Sequence, residues 1–99
     1  MDTGRMPDTL HELEQTLVSR KELRPAGSYS AELFADHERL MRKVMEEAFE
    51  VCLELGRAPR SPDAVAAEAA DLLYHLLAGL VSVDVSLDRV LAVLAERRR

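Results

Sequence analysis

The sequence predicts an all-α protein. Hydrophobic residues make up 47% of it with only two Phe, two Tyr and no Trp, a balance that favours an aliphatic helical core over a sheet sandwich. Capping residues recur ahead of segments whose apolar positions have helical spacing. Pro25, Gly27, Gly56 and Pro59 fall between those segments, where they stop one helix and free the chain to turn. The expected architecture is a four-helix protomer with a central antiparallel helix pair, assembling as a dimeric helical bundle.

Taken in order, Thr9-Leu10-His11-Glu12 fits a capping box, the threonine capping the N3 amide and the glutamate reaching back. A first helix is therefore expected from about Leu10 to Ser19, with Leu10, Leu13 and Leu17 inward. Arg20 to Ser30 reads as a basic connector broken by Pro25 and Gly27, and Ser30 starts a short helical turn. Asp36 caps a longer helix ending near Leu55, where Gly56 tolerates a left-handed C′ conformation. Ser61-Pro62-Asp63 supplies an N-cap, a proline at N1 and an acid in the first turn of a helix running to about Val83. Ser86 caps the last helix, which ends in Arg97-Arg98-Arg99 at the negative end of its dipole.

Ninety-nine residues make one domain, 1–99, and so short a chain buries only about 60 to 70% of its unfolded surface, which favours a partner subunit. The net charge of −5 argues against nucleic-acid polymers and membrane surfaces as partners, because no broad basic face neutralises phosphates. A lone cysteine, Cys52, leaves no internal disulfide. With no signal-peptide pattern, the chain is expected to be cytoplasmic. The apolar stretch from Leu72 to Val83 is interrupted by His75 and Ser82 and reads as too short and polar to span a bilayer.

The segment from Lys43 to Glu54 carries four carboxylates and one lysine among apolar residues. At about 100° per residue, Glu46, Glu50, Lys43, Glu54 and Glu47 share one wedge of about 100°. The rest of the circumference is almost wholly apolar, so the helix is expected to be largely buried with its acidic stripe facing the protein. In the next helix Glu68, Asp71, His75 and Ser82 likewise share a wedge, with Tyr74 to the side. The short Gly56–Ser61 link makes the two helices antiparallel neighbours. Positions equidistant from it then face each other: Glu50 and Glu68, Glu47 and Asp71, Lys43 and His75. Four carboxylates in two facing layers need a cation among them. Oxygen ligands without cysteine suit Mg²⁺ or Mn²⁺. Mg²⁺ is usually shared with substrate phosphates, and Lys43 stands where phosphate oxygens project.

Glu46-Glu47-x-x-Glu50 followed, after seventeen residues, by Glu68-x-x-Asp71 resembles the signature of the all-α NTP pyrophosphohydrolase superfamily, the MazG-like proteins. The segments T-L-H-E-L-E-Q-T-L-V-S-R-K, P-A-G-S-Y-S-A-E-L-F, K-V-M-E-E-A-F-E, E-A-A-D-L-L-Y-H-L-L and S-L-D-R-V-L-A-V-L-A-E-R together resemble the phosphoribosyl-ATP pyrophosphohydrolase family over roughly residues 9–97. The resemblance implies Mg²⁺-dependent hydrolysis of phosphoribosyl-ATP to phosphoribosyl-AMP and pyrophosphate, the second step of histidine biosynthesis, on a dimeric helical scaffold. It makes Glu47, Glu50, Glu68 and Asp71 the principal metal ligands. Glu46 becomes a further ligand or water-orienting group beside the catalytic Glu47 and Glu50, and Lys43 a phosphate contact. It places Arg20, Lys21, Ser28, Tyr29 and Ser30 on the substrate side, and matches Tyr74 and His75 to the family's Tyr-His. Phe49 stands where the family usually has a small residue, and Ala35-Asp36-His37-Glu38 where it often has a glycine, departures that bear on the substrate pocket.

Other readings stand beside this one. A MazG-like enzyme acting on another nucleotide has the same cage. A ferritin-like di-metal protein uses Glu-x-x-His at i, i+3, whereas Asp71 and His75 are at i, i+4. A helical dimerisation module needs no cage. Glutamates on one helix are most often a solvated face, Tyr29 and Tyr74 fit a core with wet hydroxyls, and His75 equally fits a hydrogen-bonded interface histidine. Cys52 fits a small buried hydrophobe, and His11 and His37 fit surface or capping groups.

Overall fold

The structure, a computed structural model, describes residues 8–98. Arg99, counted above with the C-terminal arginines, lies outside them. The described residues form α1 (Thr9–Leu23), α2 (Tyr29–Phe34), α3 (His37–Leu55), α4 (Pro62–Ser82) and α5 (Leu87–Glu96), with no strand among them. The all-α class is as expected, but there are five helices where the sequence suggested four.

Local chemistry accounts for each difference. Asp8, not Thr9, caps α1, its carboxylate accepting the His11 N–H at 3.3 Å. α1 continues past Ser19 because Arg20-Lys21-Glu22-Leu23 are all strong helix formers. It stops at Arg24, which precedes Pro25 and is thereby kept out of the right-handed helical region; its φ is 45°. Arg20 and Lys21 therefore belong to a helix and not to a connector. The Pro25–Ser28 turn closes through the Ser28 N–H to the Pro25 carbonyl with Gly27 at φ 80°. Ser28 caps α2 two residues before the expected start at Ser30.

Asp36, Ser61 and Ser86 cap α3, α4 and α5 as read from the sequence, accepting the N–H groups of Arg39, Ala64 and Arg89. Gly56 ends α3 at φ −86°, right-handed rather than left-handed. Left-handed residues instead end α1, at Arg24, and follow α4, where Asp84, at φ 59°, closes a Schellman motif. There the Val85 N–H reaches the Leu80 carbonyl and the Asp84 N–H that of Val81.

Each helix contributes to one core made of Leu17, Leu33, Leu40, Leu77, Ala78, Val81 and Leu87. Of the residues expected inside α1, Leu17 is buried, Leu13 packs against the core and Leu10 is exposed. The core gathers at the start of α3 and the end of α4. α3 and α4 form the most extensive helix pair, and the half of it nearest the Gly56–Ser61 link carries none of these core residues. Consequently α3 is not largely buried: Met41, Met45, Phe49 and Leu53, spaced four apart, form an exposed apolar stripe. Cys52 is exposed too. The radius of gyration, 15.3 Å, exceeds the roughly 13 Å of a compact 100-residue domain. The 21-residue α4 is, by length and composition, long and apolar enough to cross a membrane, which a reading confined to Leu72–Val83 misses. It packs against α1, α2 and α3, with 22% of that apolar window buried.

Candidate active site

Antiparallel pairing of α3 and α4 brings their acidic faces together. Carboxylate oxygens of Glu47, Glu50 and Glu68 lie within 4.8 Å of one another. Glu47 is buried, Glu68 half-buried and Glu50 exposed. One oxygen of Glu47 and one of Glu68 are buried with no hydrogen-bond partner, a costly arrangement for a carboxylate. The Glu68 carboxyl is pushed above its ordinary pKa by a hydrogen bond with the Glu50 carboxyl, then by desolvation and by the charges of Glu50, Asp71 and Glu47. Glu50 thus faces Glu68 as the register predicts. Asp71 is near enough for its charge to act on Glu68, but it stands exposed and outside the tight group of three.

Lys43 lies one turn before Glu47, its ammonium 3.3 Å from the Glu47 carboxylate. That hydrogen bond holds the Lys43 pKa above its usual value against partial desolvation. Glu46 is exposed, stays outside the group of three and contributes only its charge to Lys43. These side chains converge because the α3 wedge and the α4 wedge were each cut by helix geometry, and the short link sets their register. Two orphaned oxygens among three converging carboxylates fit a hard divalent cation, and nothing in the donor set favours a soft one.

Beside the cluster, Tyr29 of α2 reaches α4. Its hydroxyl is 2.8 Å from His75 Nε2, and His75 Nδ1 is 2.7 Å from the Asp71 backbone carbonyl. A carbonyl only accepts, so Nδ1 carries the proton and Nε2 accepts from the tyrosine. His75 is 7% exposed, so its ring faces Tyr29 and not solvent. Tyr74 packs on the core and stacks with Tyr29 at 6.2 Å between ring centres. Ser28 is taken up as the α2 cap, and Ser30 is buried with its hydroxyl 3.2 Å from that of Ser28. The two serine hydroxyls therefore serve the fold of α2.

Arg20 and Lys21 stand elsewhere. Lys21 binds the Val81 and Ser82 carbonyls and pairs with Asp84 at 2.8 Å, capping the C-terminal end of α4. Glu68 lies thirteen residues back along that helix, about 20 Å. Arg20 is half-buried in the last turn of α1. A cavity of about 430 Å³ opens at this end, between Lys21, Arg24, Val81 and Asp84, away from the acidic cluster.

One residue that sequence reasoning missed is Arg39. Its guanidinium carbon sits 5.6 Å over the Tyr29 ring. The signal was present, since Arg39, Lys43 and Glu47 recur every four residues on one row of α3.

Residues 10–98 match the phosphoribosyl-ATP pyrophosphohydrolase family. The chain belongs to this family. A phosphoribosyl-ATP pyrophosphatase of Ruegeria sp. (strain TM1040) is 44% identical over 90 residues, 90% of this chain and 84% of that protein. One from Halobacterium salinarum is 39% identical over 97 residues, covering 94% of this chain and all of that protein. The histidine biosynthesis trifunctional protein of Neurospora crassa is 46% identical over 78 residues, 79% of this chain, which spans only 8% of that longer protein. The family match encloses the three-carboxylate cluster, Lys43 and the Tyr29–His75 pair.

Proposed function

We propose that this protein hydrolyses phosphoribosyl-ATP to phosphoribosyl-AMP and pyrophosphate, in the cytoplasm, with Mg²⁺ or Mn²⁺ held by Glu47, Glu50, Glu68 and Asp71. The observation that carries the reading is the convergence of Glu47, Glu50 and Glu68 with two orphaned buried oxygens, inside a family match that spans nearly the whole chain. When bound, the cation supplies Lewis acidity toward the triphosphate and an activated water.

The protein's own groups do the rest. Lys43, fixed by Glu47, offers an ammonium to phosphate oxygens beside the cluster. Exposed Glu50 and Asp71 form the open side of the cage, and buried Glu47 its floor. Exposed Glu46, outside the cluster, is the group left to orient water and take its proton. The new bond joins the water oxygen to the α-phosphorus; the bond to the bridging oxygen breaks, and pyrophosphate leaves with that electron pair.

The reading includes a homodimer built around the α3–α4 pair. It is supported by the exposed Met41–Met45–Phe49–Leu53 stripe and by the large radius of gyration. A pyrophosphate-release assay across phosphoribosyl-ATP, ATP, dCTP and dUTP tests the assignment. Phosphoribosyl-ATP is expected to have the highest kcat/KM; preference for a plain nucleotide would move the protein to the wider MazG-like enzymes.

A further inference from the structure

Arg39 is an expensive place for a cation. It lies in the first turn of α3, where the helix dipole presents its positive end and disfavours a positive side chain. Its contact with Glu32 is long, 3.8 Å, and that carboxylate is 60% exposed, so the pair neutralises little. What holds the guanidinium is the Tyr29 ring beneath it. The Tyr29 ring is fixed in turn: its hydroxyl donates to buried His75, whose other nitrogen donates to the Asp71 carbonyl. Tyr74 supports it from the side. A chain of contacts therefore runs from the turn bearing Asp71 out to a half-exposed guanidinium.

We propose that Arg39 binds the phosphomonoester at the phosphoribosyl end of the substrate, and that His75 is a positioning residue that sets Arg39 in place through Tyr29. The inference rests on the phosphoribosyl-ATP reading above. Arg39 is two turns from Glu47 on the same row, about 12 Å along the axis. Lys43 lies between them. Along this row Lys43 is the cation nearer the carboxylates, for the triphosphate, and Arg39 the one farther out, with charges that both act on Tyr29. A planar fork suits a terminal phosphate dianion, which accepts two parallel hydrogen bonds. A plain nucleoside triphosphate lacks the phosphoribosyl phosphate, so this residue is expected to separate the two substrate classes.

The test uses the full chain and two readouts. In chelator, ribose 5-phosphate is titrated into labelled protein and followed by NMR. Wild type is expected to bind it with shifts at Arg39. Arg39→Gln is expected to weaken binding roughly tenfold or more, and Arg39→Lys to recover part of the loss. Tyr29→Phe and His75→Asn should each weaken binding less, and the double variant no more than either alone, because both break one contact. The His75 ¹⁵N shifts should report a proton on Nδ1, with the Nε2 resonance moving in Tyr29→Phe. With Mg²⁺, Arg39→Gln should raise KM for phosphoribosyl-ATP by a clearly larger factor than KM for ATP. Ribose 5-phosphate affinity unaffected by Arg39→Gln, or equal losses for both nucleotides, overturns the Arg39 assignment. Unchanged affinity in a folded His75→Asn overturns the positioning role. A wild type that turns over ATP but not phosphoribosyl-ATP defeats the underlying reading instead.

Discussion

Glu50 and Asp71 are exposed while Glu47 is buried, so the first two can be changed without opening the core. Glu50→Gln or Asp71→Asn should lower Mg²⁺-dependent turnover by at least about a hundredfold and leave the far-ultraviolet helical signal intact. A cation binding only the folded state raises its melting temperature. Mg²⁺ is therefore expected to stabilise wild type in a thermal scan and to lose most of that effect in Glu50→Gln. Full turnover in excess chelator would defeat the cage. At this scale the sequence was legible because each wedge followed from helix periodicity. The state of Tyr29 and His75 was not, because a hydroxyl 46 positions from a ring nitrogen leaves no local pattern.

Between elements, α5 is tied to α1 by two polar contacts. His11 Nδ1 is 2.7 Å from Asp8 and Nε2 2.6 Å from Asp88, while a Glu14 carboxylate oxygen accepts the Leu87 N–H at 2.8 Å. Both imidazole nitrogens face carboxylates, which requires both to donate and so favours the imidazolium. The hydrogen bonds to Asp88 and then Asp8 raise the His11 pKa. A raised histidine pKa adds stability that is complete below the unfolded value near 6.5 and is lost as pH climbs through the folded value. The melting-temperature gap between wild type and Asp88→Asn should therefore be largest near pH 6 and shrink above the raised pKa. A gap that is flat from pH 6 to 9 would contradict a charged His11. The shared core makes a second demand on the elements: Leu77, 3% exposed in the C-terminal part of α4, should cost about 2 to 5 kcal/mol of unfolding free energy when cut to Ala, read from urea denaturation.

For the whole molecule, the exposed stripe on α3 and the Leu73 and Leu76 side chains on α4, 46% and 43% exposed, leave more apolar surface than one protomer covers. Light scattering at low micromolar concentration is expected to give twice the 11.1 kDa chain mass. Leu53→Glu places a charge in that stripe and should shift the protein toward monomer with a lower melting temperature. An 11 kDa species in wild type would count against the dimer. The same surface bears on why α3 looked buried from its sequence: a helix apolar around most of its circumference signals burial against something, and among the described residues nothing covers its Met41–Leu53 stripe.

By itself the sequence determined the all-α class, the caps at Asp36, Ser61 and Ser86, the turn that pairs α3 with α4, and the facing of Glu50 and Glu68. All of these follow from short-range rules: period, capping chemistry and a short link. Tertiary structure decided what depends on distant partners. It made Lys21 a cap for the α4 carbonyls, buried Ser30, set His75 on Tyr29 and drew Arg39 over the same ring. It also decided which apolar faces α4 could cover, since one core near Leu40 and Leu77 cannot reach the far half of the α3–α4 hairpin.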